Sequence, residues 1–266
     1  MQAIRSLSIW LGVVVVTGVM YPIGLLVHLI ALPFDPTRKA QHWYSCRWGR
    51  ALTKLNSNWS FTLEGTERIP KDRPLILISN HTGMADILMA FCLDHQFKWI
   101  AKEIIFKVPM LGWFMSHSGY IRLRRGNRDS IVKCMERARW YLDHGISVLL
   151  FPEGTRTEDG ELRPFKRGAF RLAIDSGCDI LPMAMINTED ALPKNTWLVP
   201  EKRSDMKLLV GEVIPTKGLT LKDLPSLIEH SRAVIQTLKD QLAGKLEPSE
   251  VSEPDRATDF NDSVAV

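Results

Sequence analysis

Pro74-Leu75-Ile76-Leu77-Ile78 runs directly into Ser79-Asn80-His81-Thr82-Gly83-Met84-Ala85-Asp86. The first five residues are apolar, β-branched and bounded by charge before and polar residues after, which reads as a short buried strand. The octet 79–86 then lies at the carboxyl end of that strand, where open α/β sheets bind their ligands. Gly83 supplies a flexible turn, and the apolar residues from Met84 to Leu93 start a helix with Asp86 in its first turn, where a carboxylate suits the helix dipole. His81 is left in the loop, close to Asp86.

That spacing permits proton abstraction. A neutral imidazole accepts a proton near physiological pH, and a neighbouring carboxylate fixes its tautomer and stabilises the imidazolium that forms. Such a pair can activate a substrate hydroxyl directly. With 7 His and 16 Asp in 266 residues, composition alone gives roughly 0.4 pairs at this spacing, so the spacing by itself decides little. Placement after a strand, and the blocks that follow, carry the reading.

The second block repeats the logic. Ser147-Val148-Leu149-Leu150-Phe151 reads as another buried strand running into Pro152-Glu153-Gly154-Thr155-Arg156-Thr157, which delivers Glu, Gly, Thr and Arg to the carboxyl edge of the same sheet. Glu153 at the rim needs a partner, and Lys102 or Arg156 is the expected one. Between these blocks, Gly119 to Arg128 suggests a short strand at Tyr120 to Leu123, followed by Arg125 and Arg128 beside a helix start that Asn127 or Asp129 caps. Guanidinium groups beside a helix amino terminus suit a phosphate.

The amino-terminal part has a different character. Leu7 to Phe34 is a run of 28 residues without a charged side chain; as a straight helix it would measure roughly 42 Å, beyond the roughly 30 Å hydrocarbon core of a bilayer. It reads as a membrane segment, with Pro22 and Gly24 leaving open a span or a shallow insertion. Arg38, Lys39, Arg47, Arg50 and Lys54 follow it and place the downstream side in the cytoplasm, at the inner membrane. From Pro36 to Asn56, Trp43, Tyr44, Trp48, Ala51, Leu52 and Leu55 recur at helical spacing among these cations, the pattern of a helix lying in the headgroup region.

The rest of the chain reads as an edge strand at Trp59 to Leu63, a strand at Phe97 to Ala101 and a broken helix from Glu103 to His117. Helices follow up to His144, from Phe165 to Gly177 and from about Leu221 to Leu242. Asp179 to Ile186 reads as an edge or bulged strand because of Pro182, with further strands at Trp197 to Val199 and Lys207 to Val213. The expected fold is therefore α/β, a mixed, largely parallel central sheet flanked by helices with an N-terminal membrane-anchoring helix pair. The expected division is 1–57 for the anchor, 58–245 for the α/β domain and 246–266 for an acidic disordered tail. Residues 247–266 hold six acids and one Arg, net −5, which leaves +9 of the total +4 on residues 1–246. A basic body suits anionic lipid, phosphate-bearing substrates or an acidic carrier protein. Cys46, Cys92, Cys134 and Cys178 show no Cys-x-x-Cys spacing, so neither zinc nor a disulfide framework is indicated. No Gly-x-Ser-x-Gly elbow speaks for a serine hydrolase, and charge alone supports a nucleic-acid binder, so no nucleic-acid partner is expected.

Taken together the blocks resemble the glycerolipid acyltransferases, specifically bacterial 1-acyl-sn-glycerol-3-phosphate (lysophosphatidate) acyltransferases. The family's His-x4-Asp motif matches at His81 through Asp86, its Gly-to-Arg block at Gly119 through Arg125, and its Phe-Pro-Glu-Gly-Thr-Arg block at residues 151–156. Phe165 to Ala169 and Leu181-Pro182-Met183 match its downstream blocks. The resemblance implies that His81 is general base on an sn-2 hydroxyl, with Asp86 orienting it, and that the acyl group comes from a thioester of coenzyme A or acyl carrier protein as co-substrate, with no cofactor and no metal. It further implies that Lys102, Arg125 and Arg156 hold the acceptor phosphate of lysophosphatidic acid, with Glu153, Gly154 and Thr155 shaping the site, and that the partners include the lipid bilayer. Arg124 stands where the family commonly has Asp or Asn, and Glu103 lies one place before the family's usual acid. These departures bear on the headgroup and leave another lysolipid, such as lyso-ornithine lipid or a lysophospholipid, as the alternative acceptor.

Overall fold

The computed structural model describes residues 1–157, 160–193 and 196–246; the acidic tail from 247 onward lies outside them. In chain order the elements are α1 (Gln2–Ala31), α2 (Lys39–Thr53), β1 (Trp59–Glu64), β2 (Ile76–Ser79), α3 (Ala85–Ala90), β3 (Phe97–Lys102), α4 (Leu111–His117) and β4 (Ile121–Leu123). They continue with α5 (Arg128–Asp143), β5 (Ser147–Leu150), α6 (Gly168–Ser176), β6 (Ile180–Ile186), α7 (Thr188–Ala191), β7 (Ser204–Val210) and α8 (Leu224–Leu242). One seven-stranded sheet has the order β1-β7-β6-β2-β5-β3-β4. Strand β2 is parallel to β5 and β6, and β3 is parallel to β5 and β4, while β6 meets β7 antiparallel.

Helices cover both faces of this sheet, so β2 is apolar at successive positions rather than at alternate ones. Leu75 and Leu77 point into a layer with Met89, Phe91 and Phe97, whereas Ile76 and Ile78 point into the opposite layer with Tyr141, Phe170 and Ile235. Each of these branched side chains is fully buried, worth roughly 1.5–3 kcal/mol apiece relative to exposure. Because β2, β3, β4 and β5 all run the same way, their carboxyl ends share one edge. The edge is where the polar blocks emerge.

The structure decides between edge and bulge at Pro182, and it corrects the strand expected at Trp197 to Val199. Strand β6 lies inside the sheet, between β7 and β2, not at its edge. Its proline is accommodated by a bulge: Pro182 O accepts from Gly211 N at 2.9 Å, while Ile180 pairs with Ile214, so that Leu181 stands opposite both Glu212 and Val213. No strand forms at Trp197 to Val199. There the backbone bonds to side chains of α1 instead: Val199 N donates to Ser6 Oγ at 2.9 Å, and Trp197 O accepts from Trp10 Nε1 at 2.7 Å.

The amino-terminal helices pack on the α/β domain as a pair. The face of α2 expected to lie in headgroups meets α1, where Tyr44 Oη donates to Met20 O at 2.9 Å and Trp48 Nε1 to Thr17 Oγ1 at 3.2 Å. The side adjoining it, with Gln41, His42, Ser45 and Gly49, is buried against the domain. Trp43, with Arg47 stacked over its ring at 3.7 Å, remains outside. Helix α1 runs unbroken through Pro22 and is tied to the domain at both ends, by Arg5 to Pro200 O and by the ring of His28 stacked 4.4 Å from that of His117. Its outward stripe, including Leu7, Leu11, Val14, Ile23, Leu26 and Ile30, is exposed.

Candidate active site

At the end of β2 the chain is pinned before it turns. The buried Asn80 side chain bridges to β6, its Nδ2 donating to Met185 O at 2.7 Å and its Oδ1 accepting from Met185 N at 2.8 Å. His81 follows in the loop, and its Nδ1 donates to Asp86 Oδ2 at 2.5 Å. The same oxygen accepts from Thr82 N at 3.0 Å and Gly83 N at 3.2 Å, and Thr188 Oγ1 donates to Oδ1. Asp86 is fully buried, whereas 20% of the His81 side chain is exposed. A buried carboxylate needs such donors. Oriented in this way, the imidazole keeps Nε2 as its acceptor nitrogen, facing outward.

Gly83 is required by close approach. A Cβ there would lie 2.5 Å from the backbone oxygen of Thr188, nearer than any side chain tolerates, so only glycine lets the loop press against the start of α7.

Glu153 holds the other side of the histidine. Its Oε1 accepts from His81 N at 2.9 Å and its Oε2 from Arg163 N at 3.1 Å. Two backbone amides thus bond the buried carboxylate directly, in place of the expected basic side chain. Burial pushes this carboxyl up, and the amides of Arg163 and His81, with the charges of His81 and Lys239, pull it back. Phe151, from the same block, stacks on the imidazole with ring centres 4.2 Å apart. Thr157 N donates to His81 O at 3.0 Å, which closes the second loop onto the first.

The remaining expected residues line the same edge at greater distance. Gly154 takes a left-handed φ of +70°, and Lys166 Nζ lies 2.6 Å from where its Cβ would be, so the glycine makes room for the ammonium beside Thr155 and Arg156. Lys102 ends β3, and Arg125 follows β4; both are exposed and sit two and three strands from β2 in sheet order. Asn127 caps α5 behind them, accepting from Ser130 N at 2.8 Å. Arg124 Nε approaches Glu103 Oε2 at 3.9 Å. Among the described residues no group of three or more His, Cys, Asp or Glu converges as metal ligands would. Sequence reasoning missed Thr82, Thr188 and the stacking of Phe151; no local pattern signals Thr188, which is 102 positions from Asp86.

Comparison with known proteins fits this geometry. The family model described as Acyltransferase matches residues 60–186. An uncharacterized acyltransferase of Schizosaccharomyces pombe is 31% identical over 192 residues, covering 71% of this chain and 67% of its relative. The chain belongs to the acyltransferase family. Within that family, a 1-acyl-sn-glycerol-3-phosphate acyltransferase of Chlamydomonas reinhardtii is 33% identical over 220 residues, 81% of this chain and 64% of that protein. The crystal structure of the 1-acyl-sn-glycerophosphate acyltransferase of Thermotoga maritima superposes with a TM-score of 0.73 at 26% identity, covering 91% of this chain and 98% of that one. The chain spans 48% to 64% of the length of the first plant and algal relatives it matches. The matched residues 60–186 include β2 and β5 and the loops that follow them.

Proposed function

We propose that this protein transfers a fatty-acyl group from a thioester of coenzyme A or acyl carrier protein to the sn-2 hydroxyl of 1-acyl-glycerol-3-phosphate, giving phosphatidic acid. The observation that carries the reading is the 2.5 Å bond from His81 Nδ1 to a buried Asp86 at the open edge of the sheet. His81 Nε2 takes the proton of the acceptor hydroxyl, and the oxygen attacks the thioester carbonyl. A C–O bond forms, the C–S bond breaks, and the imidazolium returns its proton to the departing thiolate. Asp86 stabilises the imidazolium in between. Glu153 fixes the backbone of His81, and Lys102, Arg125 and Arg156 hold the phosphate, with Gly154 and Thr155 shaping the pocket around it.

The substrates' apolar chains suit a membrane surface. An exposed apolar stripe as long as that of α1 calls for an apolar phase. With both ends of α1 tied to the α/β domain, insertion into one leaflet fits better than a span. The cations after α1 support a domain on the cytoplasmic face of the inner membrane.

The test is transfer of labelled acyl groups from acyl-coenzyme A and from acyl carrier protein to lysophosphatidate and to lyso-ornithine lipid in detergent, with wild type and His81→Ala. Phosphatidate is expected from wild type, with a loss of roughly a thousandfold or more in the variant. Wild-type rates in His81→Ala would refute the role of the base. Acylation of lyso-ornithine lipid alone would move the acceptor and leave the chemistry in place.

A further inference from the structure

We propose that Thr188 is a positioning residue for acyl transfer, whose hydroxyl fixes the orientation of the Asp86 carboxylate and, through it, of His81. The inference rests on the reading of His81 as base. Three donors, from His81, Thr82 and Gly83, converge on Oδ2 of Asp86. Among the described residues Thr188 supplies the one hydrogen bond to Oδ1. Without it the carboxyl is held through Oδ2 alone, and Oδ1 loses the bond that fixes the plane of the carboxylate against the histidine.

The Thr188 hydroxyl is directed by its neighbours. It has one proton, committed to Asp86, so at 2.6 Å the Thr82 hydroxyl must be the donor to Thr188 Oγ1. The order is Thr82 to Thr188 to Asp86. Thr188 is fully buried, and it opens α7 immediately after Asn187, which adopts a left-handed φ of 64°. Gly83 presses on the backbone oxygen of the same threonine. The loop that carries the histidine and the segment after β6 are therefore registered against each other at this residue. It lies outside the residues 60–186 that the family model matches.

The experiment compares wild type, Thr188→Val and Thr188→Ser for kcat and KM of acyl transfer across pH, for thermal melting, and for the downfield proton resonance of His81 Nδ1–H. Valine keeps the shape and removes the hydroxyl; serine keeps the hydroxyl. Thr188→Val is expected to lose roughly ten- to a hundredfold in kcat, the scale seen when an outer-shell partner of a catalytic ligand is removed, with KM within about twofold. The resonance should broaden or shift, and Thr188→Ser should restore both kcat and the resonance; Glu153, the other carboxylate beside His81, is unchanged throughout. A valine variant with kcat within twofold of wild type and an unmoved resonance would overturn the proposal. So would equal losses in valine and serine variants that track their melting temperatures. If Thr188→Val does not fold, Thr188→Cys, whose thiol donates weakly, takes its place with the same expected directions and the same refuting outcome. If wild type acylates no acceptor, the functional reading fails, and the resonance alone decides whether Thr188 fixes the pair.

Discussion

Asp86, in the helix that follows β2, and Lys98, on β3, are both fully buried ionisable groups, and they are satisfied in opposite ways. Asp86 is surrounded by four donors, three on one oxygen and one on the other. Lys98, on β3, donates from Nζ to two backbone carbonyls, Arg38 O at 2.9 Å and Ser118 O at 2.8 Å, above the rings of Tyr120 and Tyr141. Among the described residues no carboxylate comes within salt-bridge reach of it; Asp35 acts from further away. Burial pushes the Lys98 ammonium down to about 7. The first centre is built to keep a charge in place at the open edge of the sheet. The second joins the helix pair to the domain, since Arg38 leads into α2 and Ser118 closes α4, and it tolerates losing its charge.

The sharpest way to break the comparison is to neutralise Asp86 without changing its shape. In Asp86→Asn the amide oxygen can take the place of Oδ2 and accept the same three donors, while its nitrogen faces Thr188 Oγ1, which can turn to accept. The fold should survive with a small change in melting temperature, but the imidazolium loses its counter-charge. A drop in kcat of roughly a thousandfold or more is expected, on the scale known for orienting carboxylates in catalytic triads. Retention of more than a tenth of the wild-type rate would show that Asp86 is a structural carboxylate like any other.

Gly83→Ala probes the same centre through packing. The added Cβ meets the Thr188 carbonyl at 2.5 Å, backbone against backbone, and neither side has a flexible end to give way. Overpacking of this kind typically costs roughly 1–3 kcal/mol. Because the displaced loop also carries the Gly83 N–H that Asp86 accepts, acyl transfer should fall further than stability alone explains, by about tenfold at a temperature where the variant is folded. A stable variant with full activity would mean that the loop has room to move away from α7.

The two centres also differ in how legible they were. His81 and Asp86 were readable because a short apolar run, a glycine and a first-turn carboxylate are local signals, and the strand-to-loop logic recurs at Glu153. The largely parallel sheet followed from strands alternating with helices, and the N-terminal apolar run announced α1. Thr188 and Lys98 gave no sign: each acts across a contact made by the tertiary fold, Thr188 from the far end of β6 and Lys98 from a strand that otherwise reads as apolar. Pro182, which lacks an N–H, reads as either an edge or a bulge, and only the fold decides: the bulge opposite Leu181 lets an interior strand carry it. The Glu153 partner was likewise sought among side chains, whereas the loops supply backbone amides that no sequence pattern displays. The aromatic face of α2 suits a headgroup layer and a neighbouring helix equally well, and only the fold shows that α1 covers it.

Lys98 offers the smallest effect and the most specific one. An unfolded lysine keeps its proton up to about 10.5, while the folded protein releases it near 7, so between those values the unfolded state binds more protons. Stability therefore rises with pH across that window, by about 1.4 kcal/mol per pH unit at most. Below pH 7 the folded state carries the full cost of a buried ammonium. Lys98→Met removes the titrating group and leaves the carbonyls of Arg38 and Ser118 without their donor, so the variant should start less stable at pH 8.5 but with a flatter profile. Denaturant unfolding of both proteins from pH 6 to 8.5 follows the difference, because this range stays below the ordinary thiol value of 9.0, and His42 beside Lys98 is held well below 6.5 chiefly by burial, which both proteins share. Converging stability curves as pH falls through 7 would place the proton on Lys98. Parallel curves would mean that two carbonyls and two aromatic rings hold the ammonium charged throughout, and the contrast with Asp86 would then be one of partners rather than of charge.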